Sequence, residues 1–332
     1  MSAADTSSAL RIHRAGVPLH PFLFMGCWNE PEVRSSGVLP RDEVAEAIQK
    51  NGITNVVLGG DNIYPTKSVN AATGKKVKVH SIEVFKAGVE LLSGKQIFSS
   101  LGNHNVEEDA MLVTQVGYEK WVLPSRYYAI AFTDGFALVV LDTNLEGGEF
   151  GEMLAWLEAT LSQLQTAGLK YYVVQHDPYA SYKLKVKKDD AGAVIKTHHT
   201  VFTKASDLLY RFVDYPPVAI LCADTHNYQK GLLHVSAKTT IPQYVVGTGG
   251  AQYDRIGETN PVRIAADILM TFEDKMECYG YLEIQTPTAV VFRKVLEWEA
   301  KAGGGRAARS NKKSRRIRAT RRRKTCRRRL QM

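Results

Sequence analysis

Five short stretches carry side chains able to hold metal ions, and each sits where an apolar run stops. They are Gly26-Cys27-Trp28-Asn29, Gly60-Asp61-Asn62-Ile63-Tyr64, Gly102-Asn103-His104-Asn105, Val173-Val174-Gln175-His176 and Ala223-Asp224-Thr225-His226. Sulfur, oxygen and nitrogen donors gathered by folding from successive chain positions are what a two-metal hydrolytic site needs. The second stretch is the plainest. Gly59-Gly60 permits a tight turn after Val56-Val57-Leu58, and the Asp61 carboxylate that follows can bridge two cations. Gly102-Asn103-His104 repeats the layout after Ile97-Phe98-Ser99, setting an amide oxygen beside an imidazole; His176 and His226 follow two further apolar runs.

Such side chains converge only if strands present them along one edge. Apolar runs at 22–25, 55–58, 96–99, 137–141, 171–174, 218–221 and 244–246 read as buried strands. Between them lie helix patterns at 41–50, opened by Pro40, and at 81–92, 152–165 and 203–212. The alternation predicts a layered α/β architecture. Later pieces at 231–234, 279–284 and 289–295 are hairpin-like and antiparallel in character, suited to closing a second sheet. The expected fold is a two-sheet β-sandwich flanked by helices, with the donors at strand ends facing one crevice. It is expected to occupy residues 21–298, after an N-terminal extension at 1–20. Residues 299–305, ending in three glycines, have linker composition.

Charge divides the chain at that point. The net charge is +9, but residues 306–329 hold 14 Arg and Lys with no acid, so removing them leaves the body at −5. This tail is too polar and too uniformly charged to build a core. Basic clusters of this density read as a nuclear import signal or a nucleic-acid-binding arm, with an import receptor or a phosphate backbone as partner. The tail has no aromatic residue for stacking on bases, so recognition would be blind to sequence. The four cysteines, at 27, 222, 278 and 326, include no C-x-x-C, which argues for a reducing compartment. No apolar signal region precedes residue 20, and no apolar run approaches a membrane span of roughly 20 residues. An intracellular location, nucleus or cytoplasm, is expected.

In this order the stretches resemble the calcineurin-like metallophosphoesterase superfamily, and within it the purple acid phosphatases, whose pattern runs D-x-G, G-D-x-x-Y, G-N-H-E/D, V-x-x-H, G-H-x-H. Gly60 to Tyr64 match the second motif with its tyrosine, and Val173 to His176 match the fourth. Ala223-Asp224-Thr225-His226-Asn227-Tyr228-Gln229 is similar to G-H-x-H-N-Y-Q with the first His replaced. His176-x-Pro178-x-x-Ser181 and Gly247-Thr248-Gly249-Gly250 also fit, and the similarity spans about residues 20–295.

The resemblance implies two metal ions, one held by Cys27, Asp61, Tyr64 and His226, the other by Asp61, Asn103, His176 and Asp224. It also implies hydrolysis of a phosphoester by a metal-bound hydroxide, with His104 protonating the leaving group. Three positions depart from the family pattern: Cys27 stands for Asp, Asp224 for His, and Asn105 for a carboxylate beside His104. A thiolate at 27 favours Zn²⁺ or iron, while a carboxylate at 224 favours harder ions such as Mn²⁺ or Mg²⁺. The broader D-x-H form of the first motif would make Asn29 a further ligand. With Asn105 next to it, His104 is expected to lack the carboxylate that orients it, giving reduced or narrowly tuned activity.

Two functions of different class follow. One is a metal-dependent phosphatase or phosphodiesterase carried to nucleic acid or the nucleus by its tail. The other is a catalytically weak scaffold of the same fold, associated with nucleic acid, a virion or chromatin. Residues 183–188 alternate charge with apolar side chains and, with 189–192 and 194–196 after them, read as a solvated hairpin beside the fourth stretch, or as a rim that steers phosphate.

Overall fold

A computed structural model describes residues 12–31, 37–69, 76–188 and 192–297; the basic tail and its linker lie outside them. The strands that lead into the donors are short and mainly apolar, a composition that suits strands covered on both faces. Phe22–Met25 and Asn55–Leu58 are buried along their whole length. Together with Gln96–Ser99 they pair in parallel, Met25 opposite Leu58 and Leu58 opposite Ser99, so their C-terminal ends lie in a row. Cys278–Thr286 and Ala289–Glu297 complete this five-stranded sheet by antiparallel pairing.

Among the described residues a second sheet has nine strands. Its centre is parallel: Phe136–Val140, Lys170–Val174, Ile220–Cys222 and Thr240–Val246 run side by side. Tyr228–His234 and Leu269–Met276 extend it antiparallel at one side. The later hairpin-like segments are thus divided between the sheets: 228–234 joins the larger, and 278–297 the smaller. Pairing between distant strands decides this, and local sequence does not reveal it. At the far edge His13–Arg14 pairs with Tyr128–Ala131, and Leu19 is fully buried.

Alternation along the central strands assigns each face to a layer. Leu138, Val140, Tyr172, Val174 and Leu221 point between the sheets, against Phe22, Phe24, Val57 and Leu282. Val139, Leu141, Tyr171, Val173 and Ile220 point the other way, beneath Trp156, Leu157 and Leu161 of the helix Gly147–Thr166. The outer side of the smaller sheet is covered by Pro40–Asn51 and Ile82–Glu90. Pro40 opens the first of these with its fixed φ, Asp42 and Glu43 sit in its positive first turn, and Gly52 ends it at φ 82°. Ser81 caps the second by accepting from the Val84 N–H at 3.3 Å. The result is the expected two-sheet sandwich flanked by helices.

Candidate metal centre

Where the sheets meet, the strand ends are tied together by backbone hydrogen bonds. Gly26 N donates to Val246 O across the two sheets at 2.9 Å, Cys27 N to Gly60 O at 3.0 Å, and Ala223 N to His176 O at 2.9 Å. Three non-glycine residues among those described have left-handed backbones: Cys27 at φ 51°, Asp61 at 52° and Asp224 at 47°. Each is a candidate ligand. Such conformations cost roughly 1–3 kcal/mol and persist where the surroundings enforce them, often at functional sites. Gly60, at φ 88°, and Gly102 let the loops close on one another. A Cβ at Gly102 would stand 2.3 Å from Asp61 Oδ1, and one at Gly60 2.7 Å from His176 Nδ1.

Asp61 lies at the centre of what these loops bring together, and it is 2% exposed. Its Oδ1 is 3.4 Å from His176 Nε2 and accepts from the His104 backbone N–H at 3.1 Å. On that side Asn103 Oδ1 and Asp224 Oδ1 lie 3.2 and 3.9 Å from the same His176 nitrogen. The other oxygen, Oδ2, accepts from the Tyr64 hydroxyl at 3.0 Å, and Tyr64 in turn lies 3.3 Å from His226 Nε2. Donor atoms of Cys27, Asp61 and His226 are all within 4.8 Å of one another. The seven residues expected as ligands therefore gather as two sets sharing one carboxylate.

The imidazoles are oriented from behind. His176 Nδ1 sits 2.9 Å from the Gly59 carbonyl and His226 Nδ1 2.5 Å from the Gln252 carbonyl, so each ring donates from Nδ1 and turns Nε2 inward. A carbonyl on the far ring nitrogen is the usual support of a ligating histidine. Asp254 accepts from the His226 backbone N–H at 3.1 Å and pairs with Lys183 at 2.6 Å. Sulfur, phenol, carboxylate, amide and two inward imidazole nitrogens make a donor set fitting two transition-metal ions.

Electrostatics differ across Asp61. Burial disfavours its charge, yet the His176 imidazole and then His104 outweigh that and hold its carboxyl at about 2. Burial likewise opposes charge on His176, but the Asp61, Asp177 and Asp224 carboxylates lift it to about 10. On the opposite side, burial and then Asp61 and Asp224 push the Cys27 thiol well above its ordinary range. Burial and Asp61 do the same to the Tyr64 phenol.

Two expectations need correction. His104 does not lack a carboxylate: Glu107 Oε1 lies 2.7 Å from its Nδ1, a close ion-pair approach though not an aligned hydrogen bond. The 3₁₀ turn Asn103–Asn105 is the reason, since it directs the residue three further on, and not the adjacent one, towards the ring. Asn105 is buried, accepts from the Gly102 and Asn62 N–H groups at 2.7 and 3.2 Å, and donates to Gln115. Nor is Asn29 a ligand. Its amide is consumed by the Asn62 and Phe85 carbonyls and by Arg41, away from the centre. Glu107 and Asp254 were not visible as site residues in the sequence; the i+3 spacing from His104 was the one signal for the former.

The centre opens into a cleft of about 340 Å³ lined by Glu30, Tyr64, His104, His226 and Asp254. A second cleft, of about 510 Å³, adjoins Asp224 and carries Thr143, Asp177, Lys185 and Lys204. Lys185 belongs to the hairpin Lys185–Lys188/Val194–Thr197, whose strands are exposed throughout.

No protein-family model and no curated protein matches the chain. Among solved structures it is similar to GAP50, the anchor in the inner membrane complex of Plasmodium, at TM-score 0.53 and 14% identity, over 85% of this chain and 90% of that one. PhoD gives TM-score 0.46 and 12% identity over 89% and 74%, and a dimetal phosphatase from Danio rerio gives 0.45 and 11% over 80% and 99%. The likeness to GAP50 shows a common fold. In this chain the donors stand at the ends of the parallel strands of that fold.

Proposed function

We propose that the chain is a metal-dependent phosphoester hydrolase with a dinuclear centre. The observation that carries this reading is Asp61, whose two oxygens face separate donor sets. Cys27, Tyr64 and His226 would hold one ion with it, and Asn103, His176 and Asp224 the other; Mn, Fe and Zn suit such donors. When bound, the ions would supply an acidified water and clamp the phosphoryl oxygens. His104 stands at the cleft mouth to give a proton to the leaving oxygen, its other nitrogen faced by Glu107. Lys185 and Lys204 offer positive charge to the remainder of an anionic substrate.

The test is hydrolysis of aryl phosphate mono- and diesters by the full chain with Mn²⁺, Zn²⁺, Fe²⁺ or Mg²⁺, beside Asp61→Asn. Metal-dependent turnover that falls about 10²–10³-fold in the variant is expected, the range of losses for groups that stabilise the transition state. The absence of turnover with every metal, in folded protein, would favour the second reading: a catalytically weak scaffold. That reading draws support from Cys27, a buried thiol whose surroundings keep it neutral where the family has a charged carboxylate.

We also infer that residues 306–329 bind nucleic acid or an import receptor and direct the chain to the nucleus. Affinity for random-sequence DNA should fall steeply between 50 and 200 mM salt and be lost when the tail is removed. Salt-insensitive binding, or binding unaffected by truncation, would exclude the tail as the contact.

A further inference from the structure

Outside the Asp61 centre, a separate group of donors converges beside the cleft. His80 follows the strand Lys76–Val79, its side chain is 4% exposed, and its Nε2 lies 3.2 Å from Glu107 Oε2. The other Glu107 oxygen is the one 2.7 Å from His104 Nδ1. Neither ring nitrogen makes an aligned hydrogen bond. One donor atom from each of His80, His104 and Glu107 nevertheless lies within 4.8 Å of the others.

The far side of His80 shows what this arrangement suits. Its Nδ1 is 2.8 Å from Glu108 Oε1 and donates to that carboxylate, so that in the neutral ring the Nε2 lone pair is buried and turned towards Glu107. A lone pair facing a carboxylate is repulsive unless a cation lies between them. A carboxylate behind one nitrogen and an open lone pair on the other is how ligating imidazoles are set. Two imidazoles with one carboxylate, leaving a position open, is a donor set for Zn²⁺ or a similar borderline ion, and a poor one for Mg²⁺ or Ca²⁺.

We propose that His80 Nε2, His104 Nδ1 and Glu107 form a third metal site, specific for a Zn²⁺-like ion and distinct from the pair around Asp61. An ion there draws His104 by Nδ1 and leaves its Nε2 for the cleft, beside the Tyr64 ring at a centroid distance of 4.8 Å. The site thereby sets the orientation of His104 through zinc supply, independently of whether the Asp61 centre hydrolyses phosphoesters.

Equilibrium dialysis of the full chain against buffered Zn²⁺, with bound metal counted, tests this using His80→Ala, Glu107→Gln and Asp61→Asn. His80→Ala and Glu107→Gln should each lose one Zn²⁺ or bind it at least about 10-fold more weakly, whereas Asp61→Asn should keep that ion. If His80→Ala does not fold, Glu107→Gln decides, because it preserves size at a position whose side chain is 33% exposed. Unchanged number and affinity in Glu107→Gln overturns the site and assigns the cation beside His80 to a proton. Failure of the Asp61 reading shows separately, as unchanged binding in Asp61→Asn.

Discussion

On the side of Asp61 that faces Asn103 and Asp224, the carboxylate meets an imidazole that is raised towards its charged form; on the side that faces Cys27, it meets a thiol and a phenol that burial keeps neutral. One side answers negative charge with a proton on His176. The other adds no charge, because its acids retain their protons. The difference teaches that the two sets of donors are not equivalent vessels for a cation. The His176 side must release a proton that Asp61, Asp177 and Asp224 hold firmly, while the Cys27 side must ionise a buried thiol next to carboxylates.

The largest expected effect that could break this comparison is on stability without metal. His176→Ala leaves the Asp61 charge buried without its partner, and losses of about 3–5 kcal/mol attend such cuts. Cys27→Ala removes only a neutral sulfur and should cost about 1 kcal/mol, near the centre of the range for single substitutions. Urea unfolding of chelator-treated protein measures both. Equal costs would mean that Cys27 is charged and that the two sides are alike.

Asn105→Asp comes next, and it separates the role of position 105 from that of Glu107. The new carboxylate would face the Gln115 side-chain oxygen that Asn105 now satisfies as a donor. A buried polar group left without its partner costs about 1–3 kcal/mol. Stability should fall by that amount and turnover should not rise, because His104 already has Glu107. A rise in turnover would restore Asn105 as the defect.

How far the sequence discloses such relations depends on their range. The strands at 22–25, 55–58 and 96–99 are legible to the residue because each is apolar on both faces and bounded by polar or glycine residues. The helix at 40–51 is legible from Pro40 and its charged ends. The helix Gly147–Thr166 begins five residues before its periodic pattern, since burial of Phe150 overrides three glycines of poor propensity. The seven side chains that gather around Asp61 stand out in the sequence because each follows an apolar run, in the order of the pattern the chain resembles. Glu107, His80 and Asp254 do not: their roles arise from a 3₁₀ turn and from loops meeting across 27 and 28 positions, as in the His80–Glu107 and His226–Asp254 contacts.

A pH series sharpens the comparison further. The folded His176 value, about 10, lies above its ordinary 6.5, so its contribution to stability is complete below about 6.5 and lost as pH rises through 10. Asp61, held at about 2 against 3.8, contributes above 3.8 and loses its contribution as pH falls through 2. The melting temperature of chelated protein should therefore decline from pH 6.5 to 10, and His176→Asn should flatten the decline. Added Zn²⁺ should reverse it, because metal competes with protons and binds more tightly as pH rises. A flat profile in the chelated wild type would show that Asp61 and His176 do not share a proton-dependent contact.

The smallest expected effect concerns the support behind the Cys27 side. Asp254 fixes the loop carrying His226 by accepting its backbone N–H, and Lys183 holds Asp254 in turn. Outer partners of ligands typically account for 10–100-fold in metal affinity. Asp254 grips the backbone while Gln252 grips the ring, so Asp254→Ala should stand at the lower end, about 10-fold, and Lys183→Ala below it. Zn²⁺ competition against a chelator reads both. If the two sides are independent, only one of the two ions bound around Asp61 weakens. If both weaken together, Asp61 couples them so tightly that a loop 3.1 Å behind one histidine is felt at the other, and the asymmetry of the metal-free site does not survive loading.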